Sequence, residues 1–305
     1  MNEVLDLIIV GAGPAGLTAG IYAARAGVKP VILETLGVGG QVSQTVEIEN
    51  YPGFLTIDGT ELAGKMREQA EHLGAEIRRA GVKSLSRRED GVWVLETSKG
   101  EMLARAVIAA TGAVRRKLEC PGEAEYAGMG VSYCATCDGG FFRNLEVVVV
   151  GGGSVAFEDA LYLSRICKKV TLVHRRDGFR AEGTLIERAK NTPNIEWKLF
   201  KRISEIHGEN GMVSAVTLED LKGGESEKID CAGVFIAVGT VPESKWLGEN
   251  VPLDDGGYAA VDENCAVGGG LFVAGDLRRK PIFQIVTACA DGAVAATHAC
   301  DYLNS

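Results

Sequence analysis

The residues of this chain best suited to chemistry are Cys134-Ala135-Thr136-Cys137-Asp138, two thiols two residues apart with a carboxylate directly after them. In a Cys-x-x-Cys turn one thiol's pKa falls, so its thiolate attacks disulfides near neutral pH. Asp138 can protonate or deprotonate the neighbouring sulfur where burial raises its own pKa; the plain alternative is a turn cap. A structural zinc site needs a second close pair of ligands, and the sequence holds none, so no metal is expected. The other six cysteines (120, 167, 231, 265, 289 and 300) lie in largely apolar stretches and read as buried fillers.

A dithiol needs an electron source, and the surrounding elements offer one. Residues 147–150 are four valines leading into Gly151-Gly152-Gly153-Ser154-Val155-Ala156, a G-x-G-x-x-A turn that opens a helix. The next strand, 170–173, ends in His174-Arg175-Arg176-Asp177-Gly178-Phe179-Arg180, where an NAD site would carry an acid. Arg175, Arg176 and Arg180 instead favour the 2′-phosphate of NADPH, because guanidinium grips phosphate in a bidentate fork; an exposed basic loop is the plain alternative.

An earlier copy of the pattern stands at the N-terminus. An apolar strand at 5–10 runs into Gly11-Ala12-Gly13-Pro14-Ala15-Gly16, a helix follows at 17–26, and a second strand at 30–33 closes on Glu34. Gly11 permits the tight turn, Gly13 lets backbone approach a pyrophosphate, Gly16 lets helix and strand pack, and Glu34 can accept from a ribose hydroxyl. The helix N-terminus offers unpaired N–H groups to the phosphates, and Pro14 and Ala15, within the turn before it, belong to the same candidate site. Two fingerprints about 140 residues apart are the pattern of a flavoprotein, one site for FAD and one for a nicotinamide nucleotide. Gly40 allows close backbone approach to a flat ligand, and Gln41 and Asn50 can bond its polar edge; by composition alone the stretch is only a loop, which is the plain alternative. Thr111 and Gly112 end a strand with the small residues that suit a ligand contact, and an ordinary turn would look the same. Near the C-terminus a strand at 270–274 ends in Gly275-Asp276, whose carboxylate suits a ribityl hydroxyl, and a helix is expected over 281–298, with Gln284 in its first turn.

The expected fold is α/β: two Rossmann-like, three-layer dinucleotide-binding domains, the second inserted into the first. The FAD-binding domain comprises residues 1–116 and 245–305, and the NADPH-binding domain with the dithiol comprises 117–244. The 305 residues, 46% of them apolar, suffice for two cores, and the net charge of −9 argues against sequence-independent nucleic-acid binding. No apolar run approaches a membrane span, and no secretory signal is read at the start, so a cytoplasmic location is expected.

These stretches together, above all Cys134 to Asp138 beside a nucleotide turn, resemble the bacterial-type, low-molecular-weight thioredoxin reductases over nearly the full chain. The resemblance implies hydride transfer from NADPH to FAD, reduction of the Cys134–Cys137 disulfide by the flavin, and dithiol exchange with thioredoxin. It implies that Cys137 lies nearest the flavin, that Cys134 attacks thioredoxin, and that Asp138 is the acid–base residue. It also implies a homodimer whose nucleotide lobe rotates. Dithiol and nicotinamide site share one lobe, and both must meet the flavin before the thiols meet a bulky protein, which one fixed arrangement hardly allows. The chain departs from the family in two places: Phe283-Gln284 stands for the usual Arg-Gln, and Gly239-Thr240-Val241-Pro242 for the usual Gly-His-x-Pro. The rival readings are the flavoprotein partner of a peroxiredoxin, a small-molecule dithiol oxidase, a ferredoxin-type NADP reductase and a flavin-based redox sensor. The first needs an N-terminal dithiol domain for which the strand at 5–10 leaves no room, and the third lacks a dithiol.

Overall fold

The computed structural model of the protein describes residues 3–45 and 47–305. The chain divides into two compact units, Met1–Val114 with Val241–Ser305, and Arg115–Thr240 between them.

In chain order the first unit opens with β1 (Val4–Val10), α1 (Pro14–Arg25), β2 (Pro30–Glu34) and α2 (Gly59–His72). It continues through β3 (Glu76–Arg79), β4 (Val82–Arg87), β5 (Trp93–Thr97) and β6 (Gly100–Ala109), and β7 (Ala113–Arg115) leads out of it. The second unit holds β8 (Val131–Ser132), α3 (Ala135–Asp138), β9 (Glu146–Gly151), α4 (Ser154–Leu163), β10 (Lys169–His174), α5 (Gly183–Lys190) and β11 (Ile195–Leu199). A meander of β12 (Lys201–Glu209), β13 (Met212–Asp220) and β14 (Glu227–Asp230) comes next, then β15 (Gly233–Ala237). The chain returns through β16 (Thr240–Pro242) and finishes with β17 (Ala266–Gly268), β18 (Leu271–Val273) and α6 (Ile285–Asn304).

Each unit is built on a sheet whose central strands run parallel and are covered on both faces, which is why those strands read as unbroken apolar runs; in the first unit β17 and the β4–β5 hairpin join antiparallel. In the first unit the order is β17-β18-β6-β1-β2-β3, with the β4–β5 hairpin joined through β6. Leu7 and Ile9 face α1, α2 and α6, while Ile8 and Val10 face Leu85, Trp93, Leu95 and Trp246 on the other side. In the second unit the order is β11-β10-β9-β15-β8. Its four valines alternate in the same way: Val147 and Val149 pack on Phe157 and Leu163 of α4, and Val148 and Val150 pack on Ile203 and Val216 of the meander. The architecture is the expected three-layer α/β pair, one unit inserted into the other.

The first helix begins at Pro14 and not at residue 17, and two further details differ from the expected elements. The last helix begins at Ile285 and not near Pro281, because Gln284 is its N-cap and the Thr287 hydroxyl accepts the Gln284 N–H at 3.1 Å. The antiparallel meander over 201–230 was not expected at all: its half-exposed strands carry many charges and lack the clean apolar alternation that marks a strand.

Close packing of α1 on α6 depends on Gly292, where a β-carbon would stand 2.2 Å from the Ala15 carbonyl oxygen. Gly292→Ala is expected to force the helices apart and cost roughly 1–3 kcal/mol, read as a drop of several degrees in the melting temperature.

Candidate active site

The dithiol leaves the carboxyl end of edge strand β8, which pairs in parallel with β15 through Val131–Val234 and Ser132–Phe235. Strand β9, which ends in the G-x-G-x-x-A turn, is the next neighbour of β15. Both features therefore stand at the carboxyl edge of one sheet, two strand spacings or about 10 Å apart. That edge is where open α/β sheets bind their ligands.

Cys134 and Cys137 form a disulfide, with α-carbons 5.3 Å apart. Cys134 is the N-cap of the single turn α3, and its carbonyl oxygen accepts the N–H groups of Cys137 and Asp138 at 3.2 and 3.1 Å. Asp138 does not cap the turn through its side chain. Its Oδ2 accepts a short hydrogen bond from the Ser132 hydroxyl, whose oxygen in turn accepts the Cys134 N–H at 3.1 Å. Burial raises the Asp138 pKa, and the Ser132 hydrogen bond and the Arg115 charge pull it back only in part. A carboxyl next to the sulfur, poised above its ordinary range, is a suitable proton donor to a departing thiolate. Ser132 was not anticipated, because residues six apart meet in no regular helix or strand.

In the nucleotide turn Gly153 has open space where a side chain would go, so backbone can approach a phosphate there. Ser154 and Val155 open α4, and Ala156 is fully buried beneath Gly151, whose β-carbon would stand 2.7 Å from it. The His174 ring lies so close to Gly152 that a β-carbon would come within 2.2 Å of it, and its Nε2 is 3.3 Å from the Gly178 carbonyl oxygen. Burial lowers its pKa, and the neighbouring Arg176 and Arg175 charges act in the same direction. Its observed part is to brace the loop, which the Arg180 N–H also ties to the Gly152 carbonyl at 2.9 Å. Arg175, Arg176 and Arg180 are exposed, and among the described residues no carboxylate pairs with them. The site thus presents open backbone and available guanidinium groups, which fit an NADP-type nucleotide.

The first unit lines up its expected residues by the same topology. Gly11 follows β1, Thr111 and Gly112 follow β6, Asp276 follows β18, and Glu34 ends β2, so all stand at one sheet edge. Glu34 accepts the Ala12 N–H at 2.8 Å and those of Thr35 and Leu36 at 2.8 and 2.9 Å. Gly39 donates to the Ala12 carbonyl at 2.8 Å, which docks the Gly40 loop on the fingerprint, and Gln41 donates to the Ala113 carbonyl. Asn50 donates to Gln284 Oε1 at 3.2 Å across 234 residues of sequence. Thr111 donates to the Glu243 carbonyl at 2.8 Å. Gly275 presses on Ala15, where its β-carbon would stand 2.8 Å away. Neither Asp276 oxygen accepts a hydrogen bond from the described residues, and Oδ1 is fully buried. Open space at Gly13 and a partly exposed acceptor carboxylate at Asp276 fit a dinucleotide bearing a polyol, as FAD does.

Four of the six other cysteines (167, 231, 265 and 300) are buried as expected. Cys120 and Cys289 are only half-buried, and Cys289 Sγ lies 3.9 Å from the Tyr51 hydroxyl. Asp159 on α4 was not singled out in the sequence. Burial pushes its pKa up to about 7, the Arg115 charge opposing and the Glu158 charge adding. An unfolded aspartate titrates near 3.9, so the folded protein binds the extra proton between about pH 4 and 7 and loses stability as pH rises through that window. Melting curves at pH 5 and pH 8 should show Asp159→Asn gaining on the parent at the higher pH.

A fingerprint turn in each of two α/β units, with a redox disulfide beside the second, defines a flavin- and pyridine-nucleotide-dependent disulfide oxidoreductase. The family of pyridine nucleotide-disulphide oxidoreductases matches residues 5–292. The thioredoxin reductase of Bacillus subtilis is 45% identical over 297 residues, covering 97% of this chain and 93% of that protein. The crystal structure of thioredoxin reductase from Streptococcus pyogenes superposes with a TM-score of 0.94 at 40% identity, covering 100% and 99% of the two chains. That of Lactococcus lactis, in its FR conformation, superposes at 0.67 with 41% identity, covering 98% and 99%. The chain belongs to the pyridine nucleotide-disulphide oxidoreductase family, in which its relatives are bacterial-type thioredoxin reductases.

Proposed function

We propose that the chain is the reductase of a thioredoxin, passing two electrons from NADPH through FAD and the Cys134–Cys137 disulfide to the disulfide of that partner. The observation that carries this reading is the dithiol itself, disulfide-bonded, followed by a carboxyl held above its ordinary pKa, and at the same sheet edge as a nucleotide turn. Overall, NADPH, one proton and a protein disulfide give NADP⁺ and a protein dithiol.

The chain's own residues divide the work. Arg175, Arg176 and Arg180 hold the 2′-phosphate, and Gly151, Gly153, Ser154, Val155 and Ala156 shape the turn under the pyrophosphate. Gly11, Gly13, Pro14, Ala15, Gly16, Glu34, Gly40, Gln41, Asn50, Thr111, Gly112, Asp276 and Gln284 hold FAD. Bound FAD supplies the two-electron link between nicotinamide and disulfide. Cys137 is the thiol that receives electrons, Asp138 gives the proton that completes one thiol, and Cys134 attacks thioredoxin. The Cys134 thiolate forms a mixed disulfide with one partner sulfur, and Cys137 then displaces the second partner thiol and restores the internal disulfide.

The nucleotide lobe rotates against the FAD lobe, so that nicotinamide and dithiol reach the flavin in turn. Two relatives of nearly equal identity with TM-scores of 0.94 and 0.67 support more than one arrangement within the family. The same reading takes the enzyme as a cytoplasmic homodimer. Among the described residues no helix is long and apolar enough to cross a membrane.

The deciding experiment combines stopped-flow flavin reduction by NADPH with steady-state turnover of a thioredoxin. A yellow protein that NADPH bleaches, and that turns over thioredoxin, is expected. Flavin reduction without turnover would leave a redox sensor, and reoxidation only by oxygen would leave a dithiol oxidase.

A further inference from the structure

Beneath Asp276 lies a chain of buried charges that the sequence did not suggest. Lys280, whose side chain is only 6% exposed, stands 3.0 Å from Asp276 Oδ1 and 3.1 Å from Asp291 Oδ2. Asp291 is already matched by Arg278, 2.8 Å from its Oδ1, and its Oδ2 also accepts the Gly275 N–H at 3.2 Å. Arg278 is anchored in turn by the Asp262 carbonyl at 3.1 Å. Two cations and two carboxylates thus alternate as Arg278, Asp291, Lys280, Asp276. An ammonium this deep is stable only when paired, and Arg278 already neutralises one of its two neighbours. The uncompensated part of its charge therefore acts on Asp276.

The geometry at Asp276 is unusual. Lys280 Nζ stands against the buried Oδ1, while the Asp276 side chain keeps about a third of its surface exposed and its Oδ2 accepts from no protein donor among the described residues. The lysine thus engages one carboxylate oxygen and leaves the other available to a ligand. Meanwhile Asp291 grips the Gly275 backbone that carries it.

We propose that Lys280 is a positioning residue of the flavin site: it holds the Asp276 carboxylate by one oxygen and keeps the other turned toward a hydroxyl of the FAD polyol chain. The proposal rests on the FAD reading above. It gives this part of the site a cation that approaches from the protein side, whereas position 283 carries a phenyl ring whose centroid lies 5.7 Å from Lys280 Nζ.

The test follows flavin release from purified holoenzyme by the rise in flavin fluorescence on dilution, together with the midpoint potential of the bound flavin. Lys280→Met is expected to speed release roughly 100-fold, because it leaves two carboxylates facing each other without their shared cation. Lys280→Arg, which restores the charge, should stay within about 3-fold of the parent. Asp276→Asn should release flavin about as fast as Lys280→Met, and the double variant no faster than Asp276→Asn alone, because the lysine acts through that carboxylate. If Lys280→Met fails to accumulate, Lys280→Gln gives the same comparison with the stem retained. Parent-like release from the neutral variant, failure of Lys280→Arg to restore retention, or effects that multiply in the double variant would overturn the assignment. A parent chain that holds no flavin would overturn the FAD reading itself, which separates the two failures.

Discussion

Cys134→Ser and Cys137→Ser should each lower thioredoxin reduction by about 10³-fold or more, while flavin reduction by NADPH keeps its rate. A hydroxyl in place of either sulfur can neither form the internal disulfide nor complete the exchange, and losing a covalent nucleophile costs orders of magnitude. The two substitutions differ in what they leave behind. With Cys137 replaced, Cys134 can still attack the partner, but nothing resolves the mixed disulfide, so a covalent adduct should accumulate and release its partner on adding a small thiol. With Cys134 replaced, the remaining thiol lies next to Asp138, within the turn that Ser132 ties together, and no adduct of comparable yield is expected. Non-reducing electrophoresis distinguishes them. Equal adducts from both variants would reverse or erase the assigned roles, and undiminished turnover by either would remove the dithiol from the pathway.

Replacing Arg175 and Arg176 together by alanine should lower kcat/KM for NADPH by roughly 100-fold and change that for NADH by less than about 3-fold. A charge-assisted hydrogen bond contributes about 1.5–3 kcal/mol, and NADH lacks the phosphate that receives it. Both guanidinium groups are exposed, so part of this interaction is screened, and the discrimination should weaken as salt rises. The loop should survive the change, since its anchors are the Arg180 backbone N–H and the His174 ring packed against Gly152, neither of which is altered. Steady-state kinetics with both nucleotides at two ionic strengths check this. A parent enzyme that already prefers NADH would defeat the argument from the outset.

Much of this protein is local in sequence. Each fingerprint is a strand, a turn and a helix start within about 15 residues, so apolar runs and glycine spacing reveal it without knowledge of the rest. The Cys-x-x-Cys-Asp string is equally compact, and with Gly11 to Gly16, Gly151 to Ala156 and the arginine loop it carried the family resemblance. The boundary of the last helix was less legible, because it is set by one hydroxyl of Thr287 reaching back to Gln284.

What the chain determined by itself is the chemistry at hand: a dithiol, two glycine-rich turns between strand and helix, and a cluster of arginines after the second. Only the tertiary structure decided which distant groups serve them. Asn50 meets Gln284 across 234 positions, Ser132 reaches Asp138 across a turn, and Lys280 lies between Asp276 and Asp291. The reason is physical: a backbone turn is specified by its own few residues. A buried charge is stable only beside partners that folding brings to it, and no spacing rule along the chain encodes that meeting.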